Sequence, residues 1–492
     1  MHVKSLFILL VLVLAISSCK EDKPTPTSKP ARTVPAIKAI KGCTGCHGKV
    51  RLDKNHAMAC TSCHHGNNQA ADKKNAHQGL VTMPAHPDNM AKSCGQCHGE
   101  QVKTCQNSLH FTVRNAINLT RVHFGATSTL SSLTRIPTGN NEPADMVLVD
   151  DMLRRRCLRC HLYSRGDTYP YVHHGTGCAA CHLQYAGTTL QSHKFIRKPG
   201  DWQCISCHYA NHVGADYYGQ FEHDFNWEYR TPYISANGSE RPYGVELHDL
   251  VPDIHQQRGL ICIDCHTNLM QPDSGTQKTL TCATCHGWQP DRTDPLPANL
   301  QVQDNRLVLL DQAGKKHPVP IMQHPAHAQY NNKVACQVCH GQWSFNDQQT
   351  YLLRSETDDY DMFERLTVQS SSWVEELLNH NLYSDEDELP PAMPDGITGK
   401  LKPGVWYKGF LQRRWETMVI RRDQDGRIKV FRPILDLHLS AVDAKGRVLF
   451  DNLTGRNDGY LPYTPHTTGP AGLFYKQRFL HLLTKPKTTD RP

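Results

Sequence analysis

Nine segments of the chain share the pattern Cys-x-x-Cys-His, which places two thiols and one imidazole within five residues. The segments begin at Cys43, Cys60, Cys94, Cys157, Cys178, Cys204, Cys262, Cys282 and Cys336. Disulfide bonding, zinc binding and covalent haem attachment are the three chemistries that such crowded side chains can serve. Each of them predicts a different pattern around the cysteines.

The histidine that follows every cysteine pair decides between these alternatives. A disulfide framework does not need it, and zinc sites built on Cys-x-x-Cys pairs do not require an adjacent histidine at each pair. Histidine makes up only 30 of the 492 residues, so chance does not place one after all nine pairs. In haem c, the two thiols add to the two vinyl groups of one porphyrin, and the next residue binds the iron. The sequence therefore predicts nine covalent haem c groups.

The predicted attachment sites use 18 of the 20 cysteines. The thioether cysteines are Cys43, Cys46, Cys60, Cys63, Cys94, Cys97, Cys157, Cys160, Cys178, Cys181, Cys204, Cys207, Cys262, Cys265, Cys282, Cys285, Cys336 and Cys339. The proximal iron ligands are His47, His64, His98, His161, His182, His208, His266, His286 and His340. Of the two remaining cysteines, Cys105 is predicted to be a free, buried thiol.

The ligand on the opposite side of each iron determines what a haem can do. Two axial ligands favour electron transfer, whereas an open position can bind and transform a substrate. Nine of the 30 histidines belong to the motifs, which leaves 21 others, more than nine irons require. The candidate distal ligands are His56, His77, His86, His110, His174, His193, His248, His255, His324, His327 and His466. Ligation by two histidines throughout would favour low reduction potentials.

The N-terminus has the features of an export signal. A lysine precedes an apolar run at residues 6–16, which is shorter than the ~20 residues that span a bilayer. The sequence Ile-Ser-Ser-Cys that ends at Cys19 resembles a bacterial lipobox. We therefore predict a signal peptide at residues 1–18, acylation of Cys19 and a Pro- and Lys-rich tether at residues 19–42. These features predict an exported lipoprotein of the outer membrane, on its periplasmic face or at the cell surface.

The formal net charge of +7 does not indicate a nucleic-acid partner. The basic residues are scattered, and an exported protein has little access to nucleic acid. The expected partners are redox proteins or an extracellular electron acceptor, together with the membrane that holds the lipid anchor.

The spacing of the motifs divides the chain into regions. Three motifs lie in residues 43–140 and six in residues 141–344, which predicts a triple-haem region followed by a six-haem region. Residues 345–492 contain no cysteine, and strand-like runs flank turns that begin at Asp423 and Asp443, as in β-hairpins. We expect a multihaem cytochrome c fold with a mostly irregular and α-helical core packed by haem, followed by a small, haem-free β-rich module.

Several local predictions concern residues near the motifs. Residues 142–159 have a helical pattern, and their arginines 154–156 are expected to form a solvated face or to pair with haem propionates. Apolar residues recur every four positions around His110, which predicts a helix that turns this histidine inward. The seven-residue spacing of His248 and His255 suggests two helical turns.

Residues 215–233 mix aromatic and acidic side chains. We expect them to pack over haem faces. An alternative is a calcium site that involves Glu222, Asp224 and Glu228, because carboxylate oxygens are the ligands that calcium prefers.

The nine motifs and the phrases around them ("SLH", "CLRCH", "GCAACH", "RGLICIDCHTNLM" and "PYTPHTTG") resemble the large multihaem c-type cytochromes of metal- and sulfur-respiring bacteria. The resemblance covers most of residues 43–470, and the chain is similar in part to octahaem reductases. It implies either an electron carrier or conduit, or a reductase. In that family "PHTT" is often followed by another haem motif, which is missing here, so His466 becomes a candidate ligand for one of the nine. All nine motifs end in histidine and none in lysine, which weakens the case for reductase activity.

These observations predict an electron-transfer cytochrome of anaerobic respiration with nine closely packed haems. Two alternatives stay open. One haem could keep an open position and reduce a nitrogen or sulfur oxyanion or a metal species, or the chain could be a subunit of a homo-oligomeric conducting filament or a conduit.

Overall fold

The structure is a computed structural model, and it describes most of the chain that carries the motifs. The described residues are 42–48, 50–139, 142–158, 161–165, 174–187, 189–208, 214–223, 246–267, 269–270, 281–291, 295–344, 346–348, 350–357, 366, 392–408, 412–414, 418–433, 436–455 and 459–484. The predicted signal peptide, Cys19 and all of the predicted tether except Gly42 lie outside them. So do Cys160, Asp224 and Glu228.

Most of the described helices are short, and several consist of one motif each. The α-helices are Cys43–His47, Cys60–His64, Lys73–Ala76, Met90–Ser93, Gly95–Gln106, Leu109–Thr112, Arg114–His123, Ala144–Met152, Cys178–His182, Asp201–His208, Gly214–Tyr217, Ile254–Gln257, Cys262–Cys265, Cys282–His286, Pro325–Tyr330, Cys336–His340 and Leu480–Leu483. Short 3₁₀ helices span Lys54–His56, Leu133–Arg135 and Lys476–Arg478, and a π-helix spans Leu153–Cys157.

A single helical turn places the two cysteines and the histidine of a motif on the same side. Positions 1, 4 and 5 of the pattern lie on one face of a helix, because residues three and four apart are neighbours on its surface. The helix Cys178–His182 therefore presents both thiols and the imidazole to the same side. Its N-terminus depends on Gly177, whose φ of 52° is in the left-handed region and which has no space for a Cβ beside the Ala85 carbonyl.

The strands are also short, and they are concentrated in the C-terminal half. They span Gln184–Ala186, Thr189–Ser192, Gln220–His223, Glu246–Asp249, Leu300–Gln303, Arg306–Leu310, Lys316–Pro318, Asn346–Gln348, Thr350–Ser355, Ala392–Pro394, Leu401–Pro403, Val405–Lys408, Gln412–Arg414, Val419–Arg422, Ile428–Pro433, Leu437–Val442, Val448–Thr454 and Tyr460–Pro462. The largest described sheet has four strands.

In that sheet, the strand order is Val405–Lys408, Thr350–Ser355, Leu437–Val442 and Val448–Thr454. The two central strands are parallel, and each outer strand is antiparallel to its neighbour. The hairpins predicted at Asp423 and Asp443 are present, because antiparallel strands flank both turns. A similar turn at Asp311 also joins two antiparallel strands.

Three of the local helix predictions need correction. The helix expected around His110 is broken into two, because Val113 has a φ of 50°. The helix expected over residues 142–159 changes to a π-helix at Leu153. His248 and His255 do not share a helix, since His248 lies in the strand Glu246–Asp249 and His255 in the helix Ile254–Gln257. A spacing of seven residues was not sufficient evidence of helix.

The C-terminal strands pack on helices that lie between the third and fourth motifs. Trp406, Leu439 and Leu352 are buried against Ile117 and Val149. Burial of these large side chains removes apolar surface from water at about 25 cal/mol per Å². The strands are therefore tied to the motif-bearing part of the chain through a shared apolar core.

The predicted solvated arginine face is wrong for Arg154 and Arg155, since both side chains are buried. Arg154 donates to both carboxylate oxygens of Asp395, at 2.5 and 3.0 Å. Arg155 donates to Asp151 at 2.7 Å. Because an unpaired buried charge is costly, each guanidinium requires its carboxylate partner. The Arg154–Asp395 pair also fixes the segment after Pro394 beside the fourth motif.

Candidate functional site

Seven motif histidines face a second histidine from elsewhere in the chain. The ring-centroid separations lie between 5.9 and 6.4 Å. The pairs are His47 with His77, His64 with His193, His98 with His56, His208 with His110, His266 with His466, His286 with His255, and His340 with His327. Each second histidine is one of the predicted distal ligands.

This spacing fits two imidazoles that share one metal ion. Metal–imidazole distances are about 2.0–2.1 Å for zinc, so two trans ligands have nitrogens about 4 Å apart and ring centroids about 6 Å apart. Ordinary aromatic contacts also fall between about 4.5 and 7 Å, so distance alone does not identify the pairs. Their composition is more specific, because each of these seven contacts joins one motif histidine to one histidine outside the motifs.

The Nδ1 atoms of several predicted ligands donate to backbone carbonyl groups. His64 donates to Val81 at 3.0 Å and His286 to Pro320 at 2.7 Å. His110 donates to the Leu269 carbonyl at 3.1 Å. With its proton on Nδ1, a neutral imidazole keeps the Nε2 lone pair, which is the atom that a metal ion requires.

Burial favours the neutral form of four of the paired imidazoles, those of His208, His110, His266 and His466. It lowers the pKa of His208 to about 4, and the neighbouring His110 lowers it further. Burial likewise lowers the pKa values of His110, His266 and His466. The neutral form is the one that binds a metal ion, so the direction of these shifts favours metal ligation.

Two carboxylates accept hydrogen bonds from predicted distal histidines that belong to the seven pairs, and the sequence reasoning missed both. Asp53 accepts a hydrogen bond from His56 Nδ1 at 2.9 Å, and Asp253 accepts one from His255 Nδ1 at 2.7 Å. The hydrogen bond from His56 outweighs burial and lowers the pKa of Asp53 to about 2. The spacings Asp-x-x-His and Asp-x-His were the available signal, because each aspartate caps the turn that carries its histidine.

The fourth motif has different surroundings. Burial lowers the pKa of His161 to about 3, and nearby His174 contributes. The Nδ1 atom of His161 accepts hydrogen bonds from the backbone N–H groups of Tyr163 and Ser164, at 2.9 and 3.2 Å. The Tyr163 ring lies edge-on to His161 at 5.9 Å and to the predicted ligand His86 at 5.3 Å. This site therefore combines three histidines with a phenol.

The remaining predicted site residues are not brought into such pairs within the described residues. In the fifth motif, His182 Nδ1 donates to the Ile196 carbonyl at 2.8 Å. His324 accepts from the backbone N–H of Ala326, and its ring faces Phe474. The side chains of His248 and Glu222 lie outside the described residues, as do Asp224 and Glu228, so the calcium alternative remains a prediction. Cys105 is buried, as predicted, and burial raises the pKa of its thiol.

Contacts between cysteines place the motifs next to one another. The thiols of Cys94, Cys262 and Cys282 lie close enough to those of Cys178, Cys204 and Cys336, respectively, for the neighbour to raise their pKa values. In the same way, the neighbouring Cys94, Cys204 and Cys285 raise the pKa values of Cys63, Cys181 and Cys265, although burial is the larger cause. The motifs that begin at residues 60, 94, 178, 204, 262, 282 and 336 therefore form one continuous series.

The first and fourth motifs adjoin this series. Cys43 donates its backbone N–H to Asn68, which follows the second motif. Gly177, immediately before the fifth motif, donates to the Leu162 carbonyl, immediately after the fourth, at 2.7 Å. These two contacts connect the first and fourth motifs to the series of seven, so that all nine motifs are connected.

Within the described residues, no cluster of three or more His, Cys, Asp or Glu side chains is placed to hold a bare metal ion. A porphyrin, if bound, would itself supply most of the ligands of its iron, so each paired site would need only its two histidines to hold the metal. No helix in that part of the chain has both the length and the apolar character needed to cross a membrane.

Comparison of the chain with protein-family models, curated proteins and solved structures gives no match.

Proposed function

We propose that the chain is an exported, lipid-anchored cytochrome that binds nine haem c groups and carries electrons between redox partners outside the cytoplasm. The observation that carries this proposal is the set of seven histidine pairs, each made of one motif histidine and one distant histidine. Haem c supplies a one-electron iron couple when it is bound. The chain would contribute covalent attachment through paired thiols at each of the nine motifs and two imidazoles at each of the seven paired sites.

The arrangement of the ligands supports conduction rather than isolated redox centres. Two distal histidines come from a different region of the chain than the motif histidine that they face: His193 faces His64, and His466 faces His266. Each of these pairs ties one motif to a segment beside another motif. Together with the contacts between motif cysteines, this holds neighbouring attachment sites close, and electron transfer between redox centres requires such proximity.

The experiment is a reductive titration of the purified, exported holoprotein, combined with electron paramagnetic resonance of its oxidised form. The proposal predicts nine electron equivalents per chain and ferric signals that are dominated by low-spin, bis-histidine haem. Fewer than seven low-spin equivalents would contradict it, because seven pairs are described. The lipid anchor is tested separately by replacing Cys19 with serine, which should release the protein from the membrane fraction.

A second candidate function is favoured by the surroundings of His161. A phenol edge-on to two histidines places hydrogen-bonding groups beside one motif, as a reductase with an open haem position would require. This function predicts one high-spin ferric signal and reduction of a small oxyanion or metal species. A Tyr163→Phe variant should then lose turnover while retaining all nine haems. Absence of any high-spin signal from the oxidised protein would exclude this candidate.

A further inference from the structure

The distal histidines differ in the group that accepts their Nδ1 proton. His110 and His466 donate to backbone carbonyls, each at 3.1 Å. His56 and His255 instead donate to carboxylates, at 2.9 and 2.7 Å. The second type of acceptor is anionic, and hydrogen bonds to ionised groups are shorter and about twice as strong as neutral ones.

The carboxylate of Asp53 is held in place by contacts other than the one to His56. Its two oxygens accept backbone hydrogen bonds from Asn55 and Phe195, each at 3.0 Å. The Phe195 ring lies 4.4 Å from the His56 ring and covers it. The hydrogen bond between carboxylate and imidazole is therefore built into the fold rather than formed by two freely moving side chains.

The carboxylate of Asp253 is almost entirely buried. One oxygen accepts from both the backbone N–H and the ring of His255, at 2.8 and 2.7 Å. The other accepts from the backbone N–H of Thr468 at 2.6 Å. Thr468 lies two residues after His466, which faces His266 in the neighbouring site. Asp253 thus fixes the ligand of one site and the ligand-bearing segment of the next.

We infer that Asp53 and Asp253 are positioning residues that lower the reduction potentials of the haems attached at the Cys94 and Cys282 motifs. The inference rests on the proposed haem ligation. A carboxylate that accepts the Nδ1 proton raises the basicity of the imidazole, and a more basic ligand stabilises ferric over ferrous iron. The sites of His110 and His466, which donate to backbone carbonyls, lack this anionic acceptor. The sites of His56 and His255 should therefore be reduced after them as the potential is lowered.

The test uses Asp53→Asn and Asp253→Asn in the full-length holoprotein. Each substitution removes the charge and retains one carbonyl oxygen as an acceptor. Spectroelectrochemical titration of each variant should show one of the nine redox transitions at higher potential. The equilibrium constant for reduction of that haem should rise tenfold or more, which is 59 mV or more for a one-electron couple. Asp53→Glu, which keeps the charge, should leave that transition much closer to its original position.

Asp311→Asn is the matched control. Asp311 also contacts a histidine, at 2.8 Å, and also accepts backbone hydrogen bonds in a turn. Its partner His317 uses Nε2 for that contact, so this nitrogen is engaged by a carboxylate rather than directed at an iron. The control variant should titrate like the unmodified protein.

Three results would overturn the inference: no shift in either variant, an equal shift in the Asp311→Asn control, or loss of a low-spin signal without a change in potential. Each is read in protein whose intact mass shows nine attached haems, so the proposed function survives all three. Absence of attached haem from the unmodified protein would instead refute the proposed function itself.

Discussion

The two histidines of the sequence His-Pro-Ala-His provide a sharp test of distal ligation. His327 faces the motif histidine His340, with ring centroids 6.1 Å apart and planes inclined by 20°. His324, three residues earlier, faces Phe474 instead. We therefore expect His327→Ala to remove an iron ligand and His324→Ala to leave every iron ligated.

The structure sets the size of the expected effect. One of the nine predicted sites corresponds to one ninth, or about 11%, of the total ferric haem signal. His327 lies inside the helix Pro325–Tyr330, and alanine has the highest helix propensity, so the substitution does not weaken that helix. The Nδ1 atom of His327 makes no hydrogen bond among the described residues, so its removal leaves no donor or acceptor unpaired there.

The assay is quantitative electron paramagnetic resonance on oxidised His327→Ala and His324→Ala, with intact mass as the check on haem content. The first variant should convert about one ninth of the low-spin intensity to high-spin signal, and the second should match the unmodified protein. His327→Met should restore a low-spin site and raise its potential. If His327→Ala retained the full low-spin intensity, or if His324→Ala lost an equal share, the assignment of ligands from ring pairs would be refuted.

Three further predictions concern the framework. Asp395→Ala should lower the free energy of unfolding by about 3–5 kcal/mol in denaturant titrations, because it leaves Arg154 buried without its partner. Burial raises the pKa of Asp395, but the hydrogen bonds and charge of Arg154 outweigh burial and bring it to about 2, below the ordinary 3.8. The ion pair should therefore stabilise the fold fully above about pH 4. In acid-unfolding curves, this contribution should be lost as the pH falls through 2. Gly177→Ala should destabilise the fold by about 1–3 kcal/mol, since a Cβ meets the Ala85 carbonyl, and circular dichroism melts would show the change. Cys105→Ser should leave the haem count unchanged by mass spectrometry, because this thiol belongs to no motif; loss of one haem would contradict that.

The motif geometry and the C-terminal hairpins could be predicted from the sequence because both are local. Two cysteines and a histidine at positions 1, 4 and 5 share a face only when one helical turn forms, and this requirement is contained within five residues. The turn at Asp443 likewise lies between two strands that pair directly, Leu437–Val442 and Val448–Thr454. The hairpin requires no contact with a distant part of the chain.

The pairing of ligands could not be predicted in this way. His56 precedes the second motif by four residues, yet it faces His98 of the third. His193 lies between the fifth and sixth motifs and faces His64 of the second, because a bridge between Leu52 and His193 aligns their segments. These contacts depend on tertiary packing, which the position of a histidine along the chain does not reveal.

The burial of the charged residues before the fourth motif could not be predicted either, for a related reason. A run of three arginines usually marks a solvated face. Arg154 and Arg155 are buried because Asp395 and Asp151 neutralise them, and Asp395 is 241 residues away from Arg154 in the sequence. No local sequence pattern predicts an ion-pair partner that is so far away in the chain.

If nine cysteine pairs each hold one haem, the intact mass of the exported protein under denaturing conditions will show it. Covalently attached haem survives denaturation, whereas zinc and non-covalent haem do not. We expect a mass equal to the processed polypeptide with nine haem additions. A mass with no haem additions, or with far fewer than nine, would contradict it.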